Sequence, residues 1–585
     1  MSKRCSASCR GMARRIALGS VALVVLASTA PAAEPIDEPV LSVLGSEVDR
    51  AMGALADEPD PPYFLSYEVT DIDQVTIDSA FGTLTNSRAN RRRQLDIDVR
   101  VGDYEFDNTR PVRGGSRMFG MFDRFSFVAL PIEDDPEALR QLLWFHTDSK
   151  YRRAVEQWIR VKTNVQVKVE QEDQSADFSR EDAVRHVGDV AELELDRGAW
   201  EERLRELSAA FAEHPEIYLG RASLQASAEV RWYADSSGSR IRSTRPIYRL
   251  AVFAITKADD GMELPRFETY HASTAAGLPS QEAVLADVET MIDDLLALRE
   301  APLVDPYTGP AILSGRASGV FFHEIFGHRV EGHRQKQESD GQTFKKKVGE
   351  QILPETFSVA FDPTLRNYAG EELVGHYLFD NQGVPARRVE VVEDGVFKTF
   401  LMSRTPIEDF PISNGHGRRQ PGFGVVARQS NLVVEVSHPV SEATLEQRLL
   451  ERIREEGKPF GLIFEDIQGG FTMTGRTMPN TFNVLPILVY RLHADGRKEL
   501  VRGVDLIGTP LTAFSKILAA DDKIEVFNGT CGAESGGVPV SASSPGILVS
   551  QIEVQKKSKS QERIPVLPAP TEPDVGPVRM EGGEG

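Results

Sequence analysis

Alternating apolar and polar residues, interrupted by helical patterns, constrain the fold of this chain most strongly. Alternating runs within residues 63–107, among them YFLSYEVTDI and RQLDIDVRVGDYEF, are separated by Gly and Asn and predict antiparallel strands. Further strands are predicted at 216–231, 240–256, 266–272, 431–436, 460–465, 481–492 and 546–555, with a hairpin around Glu393-Asp394-Gly395. Apolar residues at helical spacing predict helices at 42–55, 136–169, 198–213, 280–300 and 441–456. A chain of 585 residues with this mixture is expected to fold into two or more domains.

The first 33 residues differ from the rest of the chain. An apolar run, Ile16 to Ala30, follows a basic segment and precedes the small residues Ala30-Pro31-Ala32. The run is shorter than the roughly 20 residues that a membrane-spanning helix needs. We therefore expect a cleaved export signal ending at residue 32 or 33, a periplasmic or extracellular location, and no stable membrane span after cleavage; an uncleaved anchor is the alternative. The basic residues of this segment are Lys3, Arg4, Arg10, Arg14 and Arg15.

Net charge and cysteine content narrow the possible functions. The whole chain has a net charge of -21, and loss of the five basic signal residues gives -21 - 5 = -26. Such an acidic protein is not expected to bind nucleic acid, because phosphate binding needs clustered Lys and Arg. Cys5 and Cys9 lie in the signal, which leaves Cys531 as the single cysteine. That thiol is therefore free, paired between chains, or a metal ligand.

A segment rich in proline divides the remaining chain. PLVDPYTGP, residues 302–310, contains three prolines and a glycine and predicts a domain boundary. The predicted domains are residues 34–303 and 304–556. From residue 557 the tail, with PVLPAPTEPDVGP, is expected to be disordered because its apolar content is low.

The stretch FFHEIFGHRVEGH, residues 321–333, spaces its histidines five residues apart. In a regular α-helix that spacing leaves His323 and His328 about 140° apart around the axis, too far to bind one ion. A π-turn adds one residue and brings such positions to one face. The spacing therefore predicts a π-turn, with Gly327 easing the distortion.

The residue types in this stretch indicate a zinc site. Imidazoles of His323 and His328 suit Zn²⁺, and Glu324 could accept a proton from a metal-bound water. A third ligand is needed, and the residues alone leave Cys531, His333 or an unnamed carboxylate open. Glu331 is expected to orient a ligand or cap a turn. Cys531 lies in NGTCGAESGGVPVS, between a helix-like segment LTAFSKIL and the last predicted strands.

Several motifs together resemble a known family. HEIFGHRVEGH, followed about two hundred residues later by CGAESGG, resembles the TldD/PmbA family of metallopeptidases, whose active members carry His-Glu-x-x-x-His and a downstream zinc-binding cysteine. SRTPIEDFPISNGHGRR (403–419), GGFTMTG (469–475) and YRLHADGRKELVRGVDLIGTPLTAFSKILAADD (490–522) agree with it. The resemblance extends from about residue 308 to 555 and is weaker before that.

The resemblance implies an α+β protein of two domains, an N-terminal α/β domain and a mainly antiparallel β C-terminal domain carrying a zinc-binding helix. It implies Zn²⁺ held by His323, His328 and Cys531, with Glu324 as general base and unfolded or short peptides as substrates. It also implies a homodimer or a heterodimer with a related subunit. Two features depart from the family pattern: CGAESGG replaces a segment that often carries Lys and Gln, and the chain is predicted to be exported.

Two functional hypotheses follow. In the first, the protein is a zinc-dependent peptidase in which a metal-bound water attacks the peptide and Glu324 transfers the proton. The substrate would pair with an exposed strand edge, and candidate substrate contacts are His416, Arg418 and Arg419. In the second, a β-rich peptide-binding or assembly protein holds a structural metal closed by four ligands, for example His323, His328, His333 and Cys531.

Overall fold

The computed structural model describes residues 38–111, 127–165, 173–336, 340–472, 474–475, 482–508 and 513–557. These residues lie in one compact unit. The predicted export signal and the tail from residue 558 fall outside the described residues, so both remain predictions. Among the helices formed by the described residues, none is both long enough and apolar enough to cross a bilayer.

The helices begin and end close to the predicted positions. Ser280 and Ser441 accept hydrogen bonds from the amides of Ala283 and Thr444 and so cap two of them. The prediction for 198–213 is correct for its first part only, because the α-helix ends at Ala209 and a 3₁₀ turn covers the rest. The helices are α1 Pro39–Leu55, α2 Pro136–Val165, α3 Arg197–Ala209, α4 Gln281–Glu300, α5 Gly315–Ile325, α6 His333–Lys336 and α7 Glu442–Glu455.

The N-terminal half forms a sheet in the order β3-β2-β1-β5-β6-β4, with β7 paired to β6. All its pairings are antiparallel except that of β4 with β6. Alternation in β5 sends Ala222, Leu224 and Ala226 into a core shared with α3 and α4. The strands are β1 Pro62–Ala80, β2 Thr83–Val101, β3 Ala129–Leu130, β4 Arg185–Val187, β5 Leu219–Asp235, β6 Arg240–Lys257 and β7 Glu263–Ala272.

The C-terminal half forms a larger sheet, ordered β13-β12-β9-β16-β22-β20-β18-β17-β8, with β19 on β18, β21 on β22, and a further pairing of β22 with β8. Its pairings are antiparallel apart from β16 with β22 and β17 with β8. The strands are β8 Tyr307–Leu313, β9 Phe357–Phe361, β10 Asn367–Tyr368, β11 Glu371–Glu372, β12 Val389–Glu393, β13 Val396–Phe397, β14 Gly417–Arg418, β15 Val426–Ala427, β16 Asn431–Val436, β17 Phe460–Thr472, β18 Phe482–His493, β19 Lys498–Val501, β20 Val504–Gly508, β21 Ile517–Ala533 and β22 Gly536–Lys556.

Helices cover this second sheet on both faces. In β17, Leu462 and Phe464 point into the core that contains α5, whereas Ile463 points into the core that contains α7. This follows from the two-residue period of a strand. Strands buried on both faces read as continuous apolar runs, as in Ala311, Ile312 and Leu313 of β8. The predicted α+β class is confirmed. Helix α5 packs against one face of this second sheet.

A cluster of charged residues joins the two sheets, and we call it the junction cluster. Arg266 on β7 contacts Asp466 on β17 at 2.7 Å and Asp294 on α4 at 3.0 Å. Arg316, in the first turn of α5, contacts Glu268 on β7 at 3.4 Å and Asp466 at 3.6 Å. The helix that carries His323 is therefore anchored to the N-terminal sheet at its start.

Candidate metal centre

Close packing on β22 positions helix α5. Ser314 accepts a hydrogen bond from the Ala317 amide and begins the helix. A Cβ at Gly315 would lie 2.6 Å from the Ser544 carbonyl oxygen, and one at Gly319 would lie 2.8 Å from that of Ala542. Glycine at both positions lets the helix lie directly on the strand. His323 and Glu324 then stand near its carboxyl end.

The predicted π-turn is wrong. Helix α5 ends at Ile325, Phe326 adopts φ -119° and ψ -55°, and a 3₁₀ turn covers Gly327–Arg329. The chain leaves the helix between the two histidines, so the angular argument for one continuous helix does not apply. The imidazole rings of His323 and His328 lie with centroids 5.1 Å apart and planes at 81°.

Gly327 has a different role from the one expected. A Cβ at this position would overlap the side-chain amide of Gln429. The glycine therefore provides space for Gln429, whose Nε2 donates to the carbonyl oxygen of His323 at 3.4 Å. It is required by a neighbouring side chain and not by a strained turn.

Cys531 comes from the hairpin of β21 and β22, where it pairs with Val538. The sequence predicts that Cys531 lies between a helix-like segment and the last strands. This is wrong, because Cys531 lies within β21, which begins at Ile517. The Sγ atom lies 3.3 Å from Nε2 of His328. A residue two hundred positions from the histidine motif is thus brought into contact with it.

His323, His328 and Cys531 form a site that fits a zinc ion. One donor atom from each lies within 4.8 Å of the others, and all three residues are buried. Two imidazoles and a thiol are a donor set that zinc prefers. Within the described parts of the chain, no fourth His, Cys, Asp or Glu joins this cluster. With these three protein ligands, a bound zinc ion would keep one coordination position for another ligand, as in catalytic zinc sites.

The electrostatics of the cluster favour a cation. Burial alone would raise the pKa of Cys531, but His328 and His323 outweigh it and hold that pKa well below the usual thiol value. Burial would lower the pKa of His328, yet the negative charges of Cys531 and Glu331 raise it to about 10. The same negative charges would stabilise a divalent ion, which must displace the imidazole proton to bind.

Glu324 lies next to this cluster with a perturbed carboxyl group. Burial raises its pKa, and the adjacent His323 and His328 oppose that effect. Its Oε2 atom is buried and accepts no hydrogen bond from the described residues. A buried carboxylate with an uncommitted oxygen beside a metal-ligand set is the arrangement expected of a general base.

Charged residues surround the ligands in an outer layer. Glu331 places Oε2 at 3.4 Å from Nδ1 of His328, and its predicted role in orienting a ligand stays a prediction. Arg334 donates from Nε to the same oxygen at 2.9 Å. His333 lies outside the ligand cluster, since its Nε2 meets Oε1 of Glu534 at 2.5 Å.

The structure gives the three candidate substrate residues other contacts. His416 is fully buried with Nε2 at 3.1 Å from the Ser430 hydroxyl, and burial lowers its pKa to about 3. Arg418 is buried and donates to the carbonyl oxygen of Pro539 at 2.8 Å. Arg419 pairs with Glu68 of the N-terminal sheet at 3.1 Å. The structure does not bring them into the ligand cluster, and their substrate role stays a prediction.

Sequence reasoning missed Arg428 and Gln429. Both follow β15 in the run GVVARQSN, about a hundred residues after the histidines. Arg428 is fully buried, with Nε 3.3 Å from Oε1 of Glu331. Their spacing and residue types resemble no ligand motif, so no local signal could have identified them.

The part of the chain that contains the metal centre matches a known protein family. Residues 306–556 match the PmbA/TldA metallopeptidase C-terminal domain. This region is therefore similar to the PmbA/TldD family. The match spans β8 to β22 and contains His323, His328 and Cys531.

Several curated proteins similar to this chain are named as metalloproteases. A metalloprotease of Archaeoglobus fulgidus is 30% identical over 40% of this chain and 51% of its own length. A metalloprotease TldD homologue of Haemophilus influenzae is 23% identical over 59% and 69%. A zinc metalloprotease TldD homologue of Saccharolobus solfataricus is 24% identical over 42% and 51%. The chain spans about half the length of most of these relatives.

Solved structures share the fold of this chain. A candidate modulator of a DNA gyrase from Thermotoga maritima has a TM-score of 0.56 and 15% identity, covering 87% of this chain and 99% of the other. TldE from Thermococcus kodakarensis has a TM-score of 0.52 and 14% identity, covering 84% and 97%. At these identities the similarity shows the fold alone.

Proposed function

We propose that this protein is a zinc-dependent peptidase that hydrolyses unfolded or short peptides. The observation that carries the proposal is the convergence of two imidazoles and one thiol within 4.8 Å, buried beside Glu324. The names of the curated relatives support a metallopeptidase in general. The mechanism, the substrates and the assembly below are our own proposals.

His323, His328 and Cys531 would hold the ion. When bound, Zn²⁺ supplies Lewis acidity that polarises the scissile carbonyl and lowers the pKa of a water molecule towards about 7. Glu331 fixes the orientation of the His328 ring through Nδ1, which leaves Nε2 facing Cys531. The ligands are thereby set in place before a substrate arrives.

Glu324 moves the proton. A carboxylate oxygen of Glu324 accepts a proton from the attacking water and then gives it to the nitrogen of the leaving amine. Burial raises its pKa, which makes it a better proton acceptor than an exposed glutamate. Oε2 is available for this because it accepts no hydrogen bond from the described residues.

We propose that strand β17 holds the peptide backbone. Beyond Phe464 the described residues of β17 remain paired with β18, whereas β8 pairs only with residues 462–464. In this stretch Gly470 lies against Glu324, because a Cβ there would come within 2.7 Å of Cγ of Glu324. A strand edge next to the general base suits peptides of many sequences, because main-chain hydrogen bonds do not read side chains.

Location and assembly complete the proposal. The predicted signal at residues 1–33 would direct the protein to the periplasm or the extracellular space. We also propose that it acts as a homodimer or with a related subunit, an idea that the fold similarity to TldE makes worth testing.

Glu324→Gln tests the proposal against Glu455→Gln, a change of the same chemistry at an exposed position of α7. On a denatured protein substrate, Glu324→Gln should lower kcat by about 10²- to 10⁴-fold, the usual contribution of a general base. Both variants should contain zinc in the wild-type amount. Full activity of Glu324→Gln would contradict the assignment, and unfolding of the C-terminal half on zinc removal would favour a structural metal instead.

A further inference from the structure

Arg428 contacts Glu331, which follows the turn that carries His328, and the strand that carries Cys531. Its Nε lies 3.3 Å from Oε1 of Glu331, and the other oxygen of that carboxylate lies 3.4 Å from Nδ1 of His328. Its Nη2 donates to the main-chain oxygen of Cys531 at 2.7 Å. One guanidinium therefore links the turn that carries His328 to the strand that carries Cys531.

The remaining donors of Arg428 hold the tip of the same hairpin. Nη1 donates to the hydroxyl of Ser535 at 2.7 Å and to the carbonyl oxygen of Gly536 at 3.0 Å. Arg428 is fully buried, so these bonds do not compete with water. Nη1 and Nη2 make three hydrogen bonds in all, and Nε forms an ion pair with Glu331. A lysine ammonium cannot reproduce this planar arrangement.

The neighbouring Gln429 reaches the third ligand. Its Nε2 donates to the main-chain oxygen of His323 at 3.4 Å, and its side chain fills the space left by Gly327. Residues 428 and 429 together contact all the elements from which the ligands come. These two residues lie in the loop between β15 and β16, outside every ligand-bearing element.

We infer that Arg428 is a positioning residue for the zinc centre: it sets the separation between His328 and Cys531 through Glu331 and the Cys531 carbonyl. This inference rests on the proposed function, because it assumes that these residues hold zinc. Arg428 touches neither the ion nor the substrate, yet it determines how tightly the ion is held. Outer partners of metal ligands commonly change metal affinity by about 10- to 100-fold.

Arg428→Lys tests the inference, with Arg404→Lys as its matched control. Arg404 is also buried, and its guanidinium donates to the carbonyl oxygen of Ser179 of the N-terminal half at 2.8 Å. Zinc affinity is measured on the full-length purified protein by competition with a chromogenic chelator. The thiolate-to-metal charge-transfer band is measured after replacement of zinc by Co²⁺.

Arg428→Lys should weaken zinc binding by about 10- to 100-fold and alter the Co²⁺ charge-transfer band, since the Cys531 strand is no longer held. Arg404→Lys should lower the thermal midpoint but keep zinc affinity within about twofold and leave the band unchanged. Equal zinc affinity in Arg428→Lys and wild type would overturn the inference, as would equal losses in both variants. If wild type itself binds no zinc, the proposed function fails, which is a different result.

Ser535→Ala keeps the inference testable if Arg428→Lys does not fold. It removes one acceptor of Arg428 and leaves the guanidinium in place, so zinc affinity should fall by about two- to tenfold, the value of one buried hydrogen bond. Ser413→Ala, at another fully buried serine, is the control and should not change zinc affinity. Wild-type affinity in Ser535→Ala, with Arg428→Lys unfolded, would contradict a positioning role.

Discussion

Two buried groups of charged residues in this molecule differ in what their charges face. In the junction cluster each charge meets an opposite one, as Arg266 meets Asp466 at 2.7 Å and Asp294 at 3.0 Å. In the metal centre, His323, His328 and Cys531 turn their donor atoms towards one another. The first group pairs opposite charges, whereas the second brings together three atoms that can bind one metal ion. Burial of charge alone therefore does not distinguish the two groups, whereas the convergence of metal-binding atoms does.

The largest expected effect concerns the junction cluster. Arg266→Met removes a buried cation and leaves Asp466 and Asp294 without it, so the free energy of unfolding should fall by about 3–5 kcal/mol. Zinc affinity of the folded protein should stay within about twofold of wild type. Urea unfolding and chelator competition measure the two quantities.

Arg152→Met, at an exposed residue of α2, is the control and should change the free energy of unfolding by less than about 0.5 kcal/mol. A loss of zinc affinity in Arg266→Met as large as that in a ligand variant would contradict this difference between the two groups. The two clusters would then act as one unit.

The second prediction concerns the third ligand. Cys531→Ala should weaken zinc binding by about a hundredfold or more, because it removes a thiolate that contacts the ion directly. His333→Ala should weaken it by about tenfold at most, because His333 is bonded to Glu534. Chelator competition on both variants decides between them, and loss of metal in His333→Ala alone would assign the ligand to His333.

The third prediction concerns the strand beside Glu324. Gly470→Ala places a Cβ 2.7 Å from Cγ of Glu324 and must move that side chain. We expect kcat/KM to fall about tenfold with zinc content unchanged, because catalysis is sensitive to the position of a general base. Gly532→Ala, where a Cβ meets nothing within 4 Å, is the control. Unchanged kcat/KM in Gly470→Ala would mean that β17 does not position Glu324.

The smallest effect separates a buried structural histidine from the ligand histidines. Burial lowers the pKa of His416 to about 3, so the folded protein excludes a proton that the unfolded chain binds below about pH 6.5. The contribution of neutral His416 to the free energy of unfolding is present above pH 6.5 and is lost as the pH falls towards 3. In this window the free energy of unfolding should rise by about 1.4 kcal/mol per pH unit for this one group.

His416→Gln should remove that slope between about pH 5 and 6, as measured by urea unfolding at each pH. His438→Gln, at an exposed histidine, should leave the slope as in wild type. A slope that is identical in wild type and His416→Gln would show that His416 is protonated in the folded state.

Much of the fold could be predicted from sequence because its signals are local. Strand β16 was expected at 431–436 and occupies Asn431–Val436, and helix α4 was expected at 280–300 and begins at Gln281 after its Ser280 cap. The turn at Asp394 and Gly395 has positive φ at both residues, as the hairpin signal implies. Alternation, helical spacing and turn residues are properties of short segments, and tertiary contacts only shift their ends.

The local path at the histidines could not be predicted in the same way. The five-residue spacing predicts a π-turn, but helix α5 ends at Ile325 and a 3₁₀ turn follows. At this turn the side chain of Gln429 packs against Gly327. Cys531 can be predicted because it is the single cysteine after the signal and because of the family resemblance. Arg428 cannot be predicted, because its partners come from segments that only the folded chain brings together.

We propose that His323, His328 and Cys531 hold one zinc ion with a coordination position left open. Anomalous diffraction at the zinc absorption edge, from crystals of the zinc-loaded protein, tests it most directly. We expect one strong peak in contact with an imidazole nitrogen of each histidine and with Sγ of Cys531, and no fourth protein ligand. A peak bound by His333 in place of Cys531, or enclosed by four protein ligands, would contradict the account.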